Sequence, residues 1–287
     1  IFAKYPFVLS NFQKWAIYSI NMDHDTLVCA PTGSGKTLPA EYAITHFTNM
    51  GKKIIYTTPV KALSNEKFYD LSKKFPNISF GLITGDNKFN PEADVVIMTT
   101  EILLNTLDKI KALKISTQES QQKITNTLDF EIDLENELGC IVYDEIHYIN
   151  DPDRGHVWEK CIMKMPKKVI FIGLSATINC PEKLCNWSSS ALPFGAGRRE
   201  IDLCQTTHRN VPLEHYSFMS IPDSNLKKMD SETTALMKSM LNKPILLKKQ
   251  NQPFKEKNYD KIRKILKYFT DNRININHTF IFNKVID

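Results

Sequence analysis

Apolar and polar positions along the chain follow two alternating patterns. Short apolar runs rich in β-branched residues predict strands at Thr26–Cys29, Lys53–Thr57, Val95–Met98, Cys140–Tyr143 and Val169–Leu174. Between them, apolar positions at helical spacing predict helices at Asn11–Ile20, Lys36–Phe47, Leu63–Lys74, Glu101–Leu107 and Val157–Met165. Such alternation is typical of a mainly parallel sheet with helices on both faces, so the predicted fold class is α/β. In this class, ligands bind at the carboxyl ends of the strands.

Two polar stretches interrupt this alternation and indicate how the chain is divided. Residues 109–138 lack sustained periodicity and are predicted to form an inserted loop with at most a short helix. Residues 217–257 are predicted to be a linker between a first domain, residues 1–216, and the beginning of a second, residues 258–287. The second segment has a helical pattern at Tyr259–Phe269 and a strand-like run at Thr279–Phe282. Because the chain opens with Ile1 and ends soon after that run, we expect a fragment of a longer protein.

The composition narrows the class of protein but leaves its partner open. With 287 residues, 42% of them hydrophobic and 24% charged, the chain is long enough for one full domain and part of another. The net charge of +5 suits a polyanionic partner, although many proteins without one are equally basic. The six cysteines form no CxxC pair, so we expect buried free thiols. No apolar stretch reaches the ~20 residues that cross a bilayer and no secretion signal opens the chain, so we expect a soluble protein of the nucleus or cytoplasm.

A phosphate-binding loop is predicted where the first strand meets the second helix. Residues 30–37 read APTGSGKT, with a strand before them and a helix after them, which is the context that such a loop needs. Ala30 replaces the first glycine of the GxxxxGK[ST] pattern, and a chance Gly-rich turn is the alternative. Lys36 is expected to contact the β and γ phosphates of a nucleotide, and Thr37 to offer its hydroxyl to Mg²⁺. The residues expected to bind the nucleotide here are Thr32, Gly33, Ser34, Gly35, Lys36 and Thr37.

An acidic pair follows the fourth predicted strand and supplies the second half of an ATPase site. In the segment 141–147, which reads IVYDEIH, Asp144 is expected to hold Mg²⁺ and Glu145 to activate the attacking water. The predicted catalytic residues are therefore Lys36, Asp144 and Glu145. Taken alone, such a pair is more often a solvated strand end, and the phosphate-binding loop gives it significance.

Three further residues are predicted to couple the nucleotide to the rest of the domain. His147 follows the acidic pair, and its alternative is an ordinary polar residue at a loop entrance. Ser175 and Thr177 lie in a Ser-Ala-Thr triplet at the end of the fifth predicted strand, where their hydroxyls could bond the acidic segment.

With these motifs in this order, the chain resembles superfamily 2 DExH-box helicases, and the superkiller-type RNA helicases that feed the exosome in particular. The resemblance covers most of residues 7–216. It is carried by Thr58–Lys67, Gly81–Asp86, Thr99–Leu103, Asp144–Asp151 and Thr207–Tyr216. It implies a RecA-like P-loop NTPase domain, followed by the start of a second RecA-like domain, that uses ATP and Mg²⁺. Ile146 stands where a related DNA-repair group usually has leucine, which favours the RNA group.

The resemblance also implies roles for individual residues. Gln13 is expected to read the adenine edge, and Phe7 to stack on the base; the alternative for Phe7 and Phe12 is core packing. Contacts to the nucleic-acid backbone are expected from Pro59, Lys61, Gly85 and Thr100, with the helix after Thr100 presenting N–H groups to a phosphate. A solvated charge is the alternative for Lys61. Arg154 has three open readings: it positions the acidic motif, contacts substrate, or forms a structural salt bridge.

The function expected from the sequence is that of an ATP-dependent RNA helicase motor fragment acting on single-stranded or partly duplex RNA. The arginines of the second motor domain are missing from this chain, so we expect ATP binding with slow hydrolysis and no efficient unwinding. The alternatives are a DNA helicase or translocase, and a non-catalytic clamp gated by nucleotide. The Ile-, Asn- and Lys-rich composition indicates an AT-rich genome, such as that of a large DNA virus or a protist.

Overall fold

A computed structural model describes residues 1–116, 136–166, 168–176, 178–191, 200–209, 214–220, 244–249, 252–253, 255–271 and 277–282. Contacts divide the chain into two compact units, Ile1–His208 and Arg209–Asp287. The break comes a few residues before the predicted boundary at residue 216.

The first unit is built on an eight-stranded sheet. Its strands are β1 Asp25–Cys29, β2 Lys53–Thr58, β3 Phe80–Ile83, β4 Lys88–Phe89, β5 Val95–Thr99, β6 Leu138–Tyr143, β7 Ile170–Ser175 and β8 Ile201–Gln205. The strand order is β4-β3-β5-β2-β6-β7-β1-β8, and every pair is parallel except β3 with β4. The five predicted strands and the α/β class are confirmed, and β3, β4 and β8 are additions.

Six helices are described in this unit: α1 Asn11–Asn21, α2 Leu38–Asn49, α3 Lys61–Lys74, α4 Thr100–Ser116, α5 Gly155–Met163 and α6 Pro181–Ala191. Short 3-10 helices lie at Phe2–Lys4 and Ile146–Asn150. Buried residues of α1, α2 and α3 pack on one face of the sheet, and those of α4, α5 and α6 on the other, as predicted. Among the described residues, no helix combines the length and apolarity that crossing a membrane requires.

The continuous apolar runs of the central strands are explained by burial on both faces. Ile54 belongs to one apolar cluster, while Ile55, the next residue of β2, belongs to the other. Val142 and Ile141 of β6 divide in the same way. Because successive side chains of a strand point to opposite faces, a strand covered on both sides must be apolar at every position. Each such side chain contributes about 1.5–3 kcal/mol by leaving water.

The first residues of the predicted insertion 109–138, which was allowed a short helix, belong to α4, because this helix continues to Ser116. Leu103 and Leu107 are buried, and Ile110 packs against the same cluster. These positions continue one helical stripe at spacings of four and three. The exposed polar residues Asn105, Asp108 and Lys109 lie between them and obscured the periodicity. At the other end, Leu138 already belongs to β6, and residues 117–135 lie outside the described residues.

The second unit contains a three-stranded antiparallel sheet in the order β10-β9-β11. Its elements are β9 Glu214–Ser220, β10 Ile245–Lys249, α7 Glu256–Asp271 and β11 Asn277–Phe282. The helix and the strand predicted within 258–287 are confirmed, whereas the predicted linker 217–257 contains most of β9 and all of β10. Strand β10 reads ILLKK, and its apolar run is too short to stand out within a stretch that is otherwise polar. The start of a second RecA-like domain remains a prediction.

The cysteines provide a direct test of the packing of the first unit. All six are free, and Cys180 is the exposed one. Burial raises the pKa of Cys29 and Cys204 to about 12 and that of Cys185 to about 11. Because the thiolate is the reactive form, we expect one thiol per native chain to react rapidly with a disulfide-exchange reagent at pH 8. Cys180→Ser should abolish that fast phase, and a second fast thiol in the native chain would contradict the packing.

Candidate nucleotide and nucleic-acid site

The predicted nucleotide motifs meet at one edge of the sheet. The phosphate-binding loop follows β1, the acidic pair follows β6, and Ser175 ends β7, which lies between those two strands. Ser175 is paired with Cys29, and its carbonyl accepts a hydrogen bond from the N–H of Ala30. Because the strands are parallel, all three motifs emerge at the carboxyl edge, where this fold class binds ligands.

The phosphate-binding loop depends on two glycines. Gly33 and Gly35 have φ angles of 81° and 82°, in the left-handed region that other residues rarely adopt. A Cβ at Gly35 would lie 2.6 Å from Nε2 of Gln13, so the positive φ requires glycine there and a larger residue would also displace the Gln13 amide. Ala30, which replaces the first glycine of the pattern, is fully buried in the core and has no positive φ. The departure from the strict pattern therefore falls at a position where this fold accommodates a methyl group.

Gln13 contacts the phosphate-binding loop as well as its own helix. Its Oε1 accepts hydrogen bonds from the backbone N and the Oγ of Ser10, both at 2.9 Å, and this capping box begins α1. Its Nε2 donates to the carbonyl of Gly35 at 3.1 Å. The side chain is 7% exposed, so the structure gives Gln13 an internal role that the adenine prediction did not include. Phe7 is 54% exposed beside Tyr5, whereas Phe12 is buried in the core, where the packing alternative holds.

The two halves of the site are joined by a salt bridge. The ammonium of Lys36 donates to both carboxylate oxygens of Glu145, at 2.6 and 2.7 Å. The two side chains are 11% and 26% exposed, so water screens this pair only in part. Glu145 has a φ of 51°, a left-handed conformation that is unusual for a residue with a side chain. Strained backbone of this kind is typical of functional positions.

Asp144 is buried, and its groups make several contacts. Its Oδ2 accepts a hydrogen bond from the hydroxyl of Tyr56 at 2.8 Å, and its Oδ1 accepts the backbone N–H of Glu145 at 2.9 Å. Its own N–H donates to the carbonyl of Thr57, and the ammonium of Lys67 lies 3.7 Å from Oδ2. Burial, followed by the charge of Asp144, raises the pKa of Tyr56 well above its usual value, so this hydroxyl stays protonated and acts as a donor.

The side chains around the acidic pair are suited to holding Mg²⁺. This ion prefers oxygen ligands, and one or two carboxylates are usual. Asp144 supplies a carboxylate, and Thr37 supplies a hydroxyl at the N-cap of α2, where it makes no capping hydrogen bond. The predicted pair of metal-binding residues therefore has the required chemistry.

The three predicted coupling residues have different outcomes. Nδ1 of His147 lies 3.3 Å from Oε2 of Glu145, within ion-pair distance but without hydrogen-bond geometry. The hydroxyl of Ser175 is buried without a hydrogen-bond partner among the described residues, so the predicted bond from Ser175 to the acidic segment is not formed in this structure. Thr177 lies outside the described residues.

The four residues predicted to contact nucleic acid differ in exposure: Lys61 and Gly85 lie together, whereas Pro59 and Thr100 are buried. Lys61, the first residue of α3, pairs with Asp86, and both side chains are more than half exposed. The end of the Lys61 side chain lies against Gly85, where an added Cβ would be 3.3 Å from Nζ. Thr100 is fully buried, and its hydroxyl donates to the carbonyl of Thr58 at 3.3 Å. Its predicted contact is therefore restricted to the backbone at the start of α4.

Arg154 forms a structural salt bridge with Glu101, which is one of the three roles that the sequence left open for it. Its Nε donates to Oε1 of Glu101 at 3.1 Å, and its Nη2 donates to the carbonyl of Pro59 at 2.6 Å. The guanidinium also lies 5.8 Å from the ring centre of Trp158. Arg154 thus ties the buried Pro59 and the first turn of α4 to the segment that follows the acidic motif.

Tyr56 and Lys67 were missed by sequence reasoning, although one signal was available. A tyrosine in a largely buried strand usually directs its hydroxyl to a partner, and the acidic pair was a candidate acceptor. Lys67 lies at the end of the segment Thr58–Lys67 that carries the resemblance, but nothing in the sequence indicated a contact with the acidic pair. Its contact with Asp144 depends on the spatial order of β2 and β6.

Comparisons with known proteins agree with this geometry. Residues 10–184 match the DEAD/DEAH box helicase family. Antiviral helicase SKI2 of Saccharomyces cerevisiae is 39% identical over 210 residues, which are 73% of this chain and 14% of that protein. Exosome RNA helicase MTR4 of Homo sapiens is 34% identical over 215 residues, which are 75% of this chain and 18% of that protein. A crystal structure of the helicase MrfA bound to DNA has a TM-score of 0.52 at 18% identity, covering 69% of this chain and 27% of that chain, and shows the fold alone.

The similar proteins are DExH helicases of the Ski2 and Mtr4 type, so the predicted resemblance is confirmed. This chain spans less than a fifth of the length of the two relatives described above. The parallel sheet and its helices form the RecA-like fold of such motors. Because the family match covers more than half of the residues, the chain belongs to the DEAD/DEAH box helicase family.

Proposed function

We propose that this chain is the ATP-binding motor domain of an RNA helicase, which hydrolyses ATP with Mg²⁺ and holds single-stranded RNA by its backbone. The observation that carries the proposal is the bond between Lys36 and Glu145. It brings the phosphate-binding lysine of one motif into direct contact with the water-activating carboxylate of the other. A pair of unrelated surface motifs would have no reason to meet in this way.

The side chains present divide the reaction between them. Lys36 binds phosphate oxygens in place of Glu145, which then accepts the proton of the attacking water. Gln13 has a second N–H on its amide for the adenine edge, since one already goes to Gly35. Thr37 and Asp144 would hold Mg²⁺, which supplies charge neutralisation on the phosphates when bound. His147, Ser175 and Thr177 remain proposed as the residues that transmit the state of this site.

RNA is proposed as the substrate because the similar proteins include an exosome RNA helicase and an ATP-dependent RNA helicase. The proposed contacts are Lys61 and Gly85, which lie together, with Pro59 and the backbone at Thr100. Such contacts go to phosphates and sugars and carry no sequence preference of their own. We also propose that the protein acts inside the cell.

Turnover by this chain alone is proposed to be slow. In other phosphoryl-transfer enzymes, an arginine supplied from outside the nucleotide-binding domain raises the rate by about 10³ to 10⁵. The resemblance to superkiller-type helicases implies that such arginines are supplied by a second motor domain. Unwinding is accordingly proposed only for a longer protein that contains both motor domains.

The test is ATP turnover with single-stranded RNA and with DNA of matched sequence. It is to be measured on this chain and on the longer protein proposed to contain it. We expect weak turnover by the chain and RNA-stimulated turnover by the longer protein. Equal stimulation by DNA would replace the RNA proposal with a DNA translocase. Nucleotide binding without turnover in either protein would instead indicate a clamp gated by nucleotide.

A further inference from the structure

The buried carboxylate of Asp144 is held from two sides by residues to which no role has been assigned above: Tyr56, and Lys67 at the end of the segment Thr58–Lys67. Tyr56, on the neighbouring strand β2, donates its hydroxyl to Oδ2 at 2.8 Å. Lys67, on α3, places its ammonium 3.7 Å from the same oxygen. Asp144 is 4% exposed and Tyr56 is fully buried, so water contributes little to the solvation of this carboxylate. Both partners therefore act on the charge of a group proposed to hold Mg²⁺.

The two partners act in different ways. The Tyr56 hydroxyl is a neutral donor at the end of a rigid ring that is packed in the core, so it fixes the orientation of the carboxylate. Lys67 brings a full positive charge, which compensates the buried negative charge of Asp144. A positive charge beside a carboxylate also lowers the affinity of that carboxylate for a second cation.

The position of Lys67 is fixed by the helix that carries it. The hydroxyls of Ser64 and Thr58 are hydrogen-bonded to each other at 2.7 Å, and both residues are buried. This contact anchors α3 to the end of β2. Lys67 lies one helical turn after Ser64 and therefore shares the face that meets the strand. Its side chain is 21% exposed, which limits the solvent available to its ammonium.

We propose that Tyr56 and Lys67 are positioning residues that set the metal affinity of Asp144 in opposite directions. Tyr56 raises this affinity by holding the carboxylate in one orientation, and Lys67 lowers it as a built-in counter-charge. The inference rests on the proposed function, because it takes Asp144 as a metal-binding residue. Lys67 lies on α3, the helix that begins at the proposed RNA contact Lys61. This helix is therefore in direct contact with Asp144, the carboxylate proposed to hold Mg²⁺.

The test measures equilibrium binding of fluorescently labelled ADP with Mg²⁺ and with EDTA, so that no turnover is needed. The ratio of the two dissociation constants is the magnesium enhancement. We expect Tyr56→Phe to lower this enhancement by about three- to tenfold, because the ring stays and the hydrogen bond is lost. Lys67→Met should raise it by about three- to tenfold, because the charge is lost and most of the stem stays. Lys67→Arg should restore a value near that of the unaltered chain.

Two variants serve as matched controls. Tyr143→Phe removes a buried hydroxyl from β6 that has no hydrogen-bond partner among the described residues. Lys73→Met removes an exposed charge from the same helix as Lys67. Both are expected to keep the enhancement of the unaltered chain. Binding of Mn²⁺ to the chain with ADP, followed by electron paramagnetic resonance, gives a second measure of the metal affinity.

The outcomes separate this inference from the proposed function. An unaltered chain with no magnesium enhancement would overturn the proposed function itself. A normal enhancement that Lys67→Met leaves unchanged or lowers, or that a folded Tyr56→Phe leaves unchanged, would overturn the opposed roles alone. Thermal melting shows whether each variant folds. If Tyr56→Phe does not fold, the proposal is decided by whether Lys67→Met raises or lowers the magnesium enhancement.

Discussion

Replacing Glu145 with glutamine is expected to reduce ATP turnover by about 10²- to 10⁴-fold, the usual contribution of a general base. Glutamine keeps the size of the side chain but cannot accept the proton of the attacking water. The same change removes the negative charge that holds Lys36 at 2.6 Å. Lys36 would then be available to phosphate from the start, so nucleotide affinity should be maintained or increased. Single-turnover hydrolysis with protein in excess, together with calorimetric ATP binding, measures both effects.

Glu159→Gln is the matched control for this variant. Glu159 is an exposed carboxylate on α5, and its replacement should leave both turnover and binding unchanged. If Glu145→Gln hydrolysed ATP at the normal rate, Glu145 would not be the base, and the clamp would become the better proposal. A strong loss of nucleotide binding would contradict the competition between Glu145 and phosphate for Lys36.

The central fold could be predicted because its physical constraints are local in sequence. Strands such as β2 and β6 are covered on both faces, which requires uninterrupted apolar runs that are visible without a structure. The phosphate-binding loop is equally local, since its two left-handed glycines, its lysine and the following helix lie within a few residues. The meeting of the acidic pair with the phosphate-binding loop could be expected because parallel strands bring their carboxyl ends to a single edge.

The parts that were missed depend on contacts between distant segments. The length of α4 depends on Ile110 reaching the core, which the polar residues around it concealed. The internal hydrogen bonds of Gln13 require Gly35 to lie beside α1, and the role of Arg154 requires Pro59 and Glu101 to converge. Strand β10 is stabilised by pairing with β9, across a wide gap in sequence. None of these contacts has a periodicity or a motif of its own.

The salt bridge between Lys36 and Glu145 bears on two proposed steps at one edge of the sheet: phosphate binding by Lys36 and activation of water by Glu145. With Lys36 bound to Glu145, the charges of both motifs are compensated within the protein. If Lys36 binds phosphate as proposed, it must leave Glu145, and this exchange would free the carboxylate as the nucleotide arrives. The proposed roles would thus link nucleotide binding to activation of the base.

Lys36→Ala is expected to weaken ATP binding by about ten- to a hundredfold, the effect of losing a hydrogen bond to a charged group. The remaining loop would still offer backbone N–H groups to phosphate, so binding should not disappear altogether. Glu145 would lose its partner, but its side chain is 26% exposed, and water can solvate the carboxylate that remains. We therefore expect a melting temperature close to that of the unaltered chain. Titration calorimetry with ATP and a thermal melt measure the two quantities.

Lys73→Ala is the control for this variant, because Lys73 is an exposed lysine in the last turn of α3. It should leave ATP affinity unchanged. Equal affinities for Lys36→Ala and the unaltered chain would show that the ammonium does not meet phosphate, whatever its contact with Glu145. A fall in affinity accompanied by loss of the cooperative melt would show instead that the Lys36–Glu145 pair supports the fold. Only a fall in affinity with an intact melt matches a lysine that exchanges its carboxylate partner for a nucleotide.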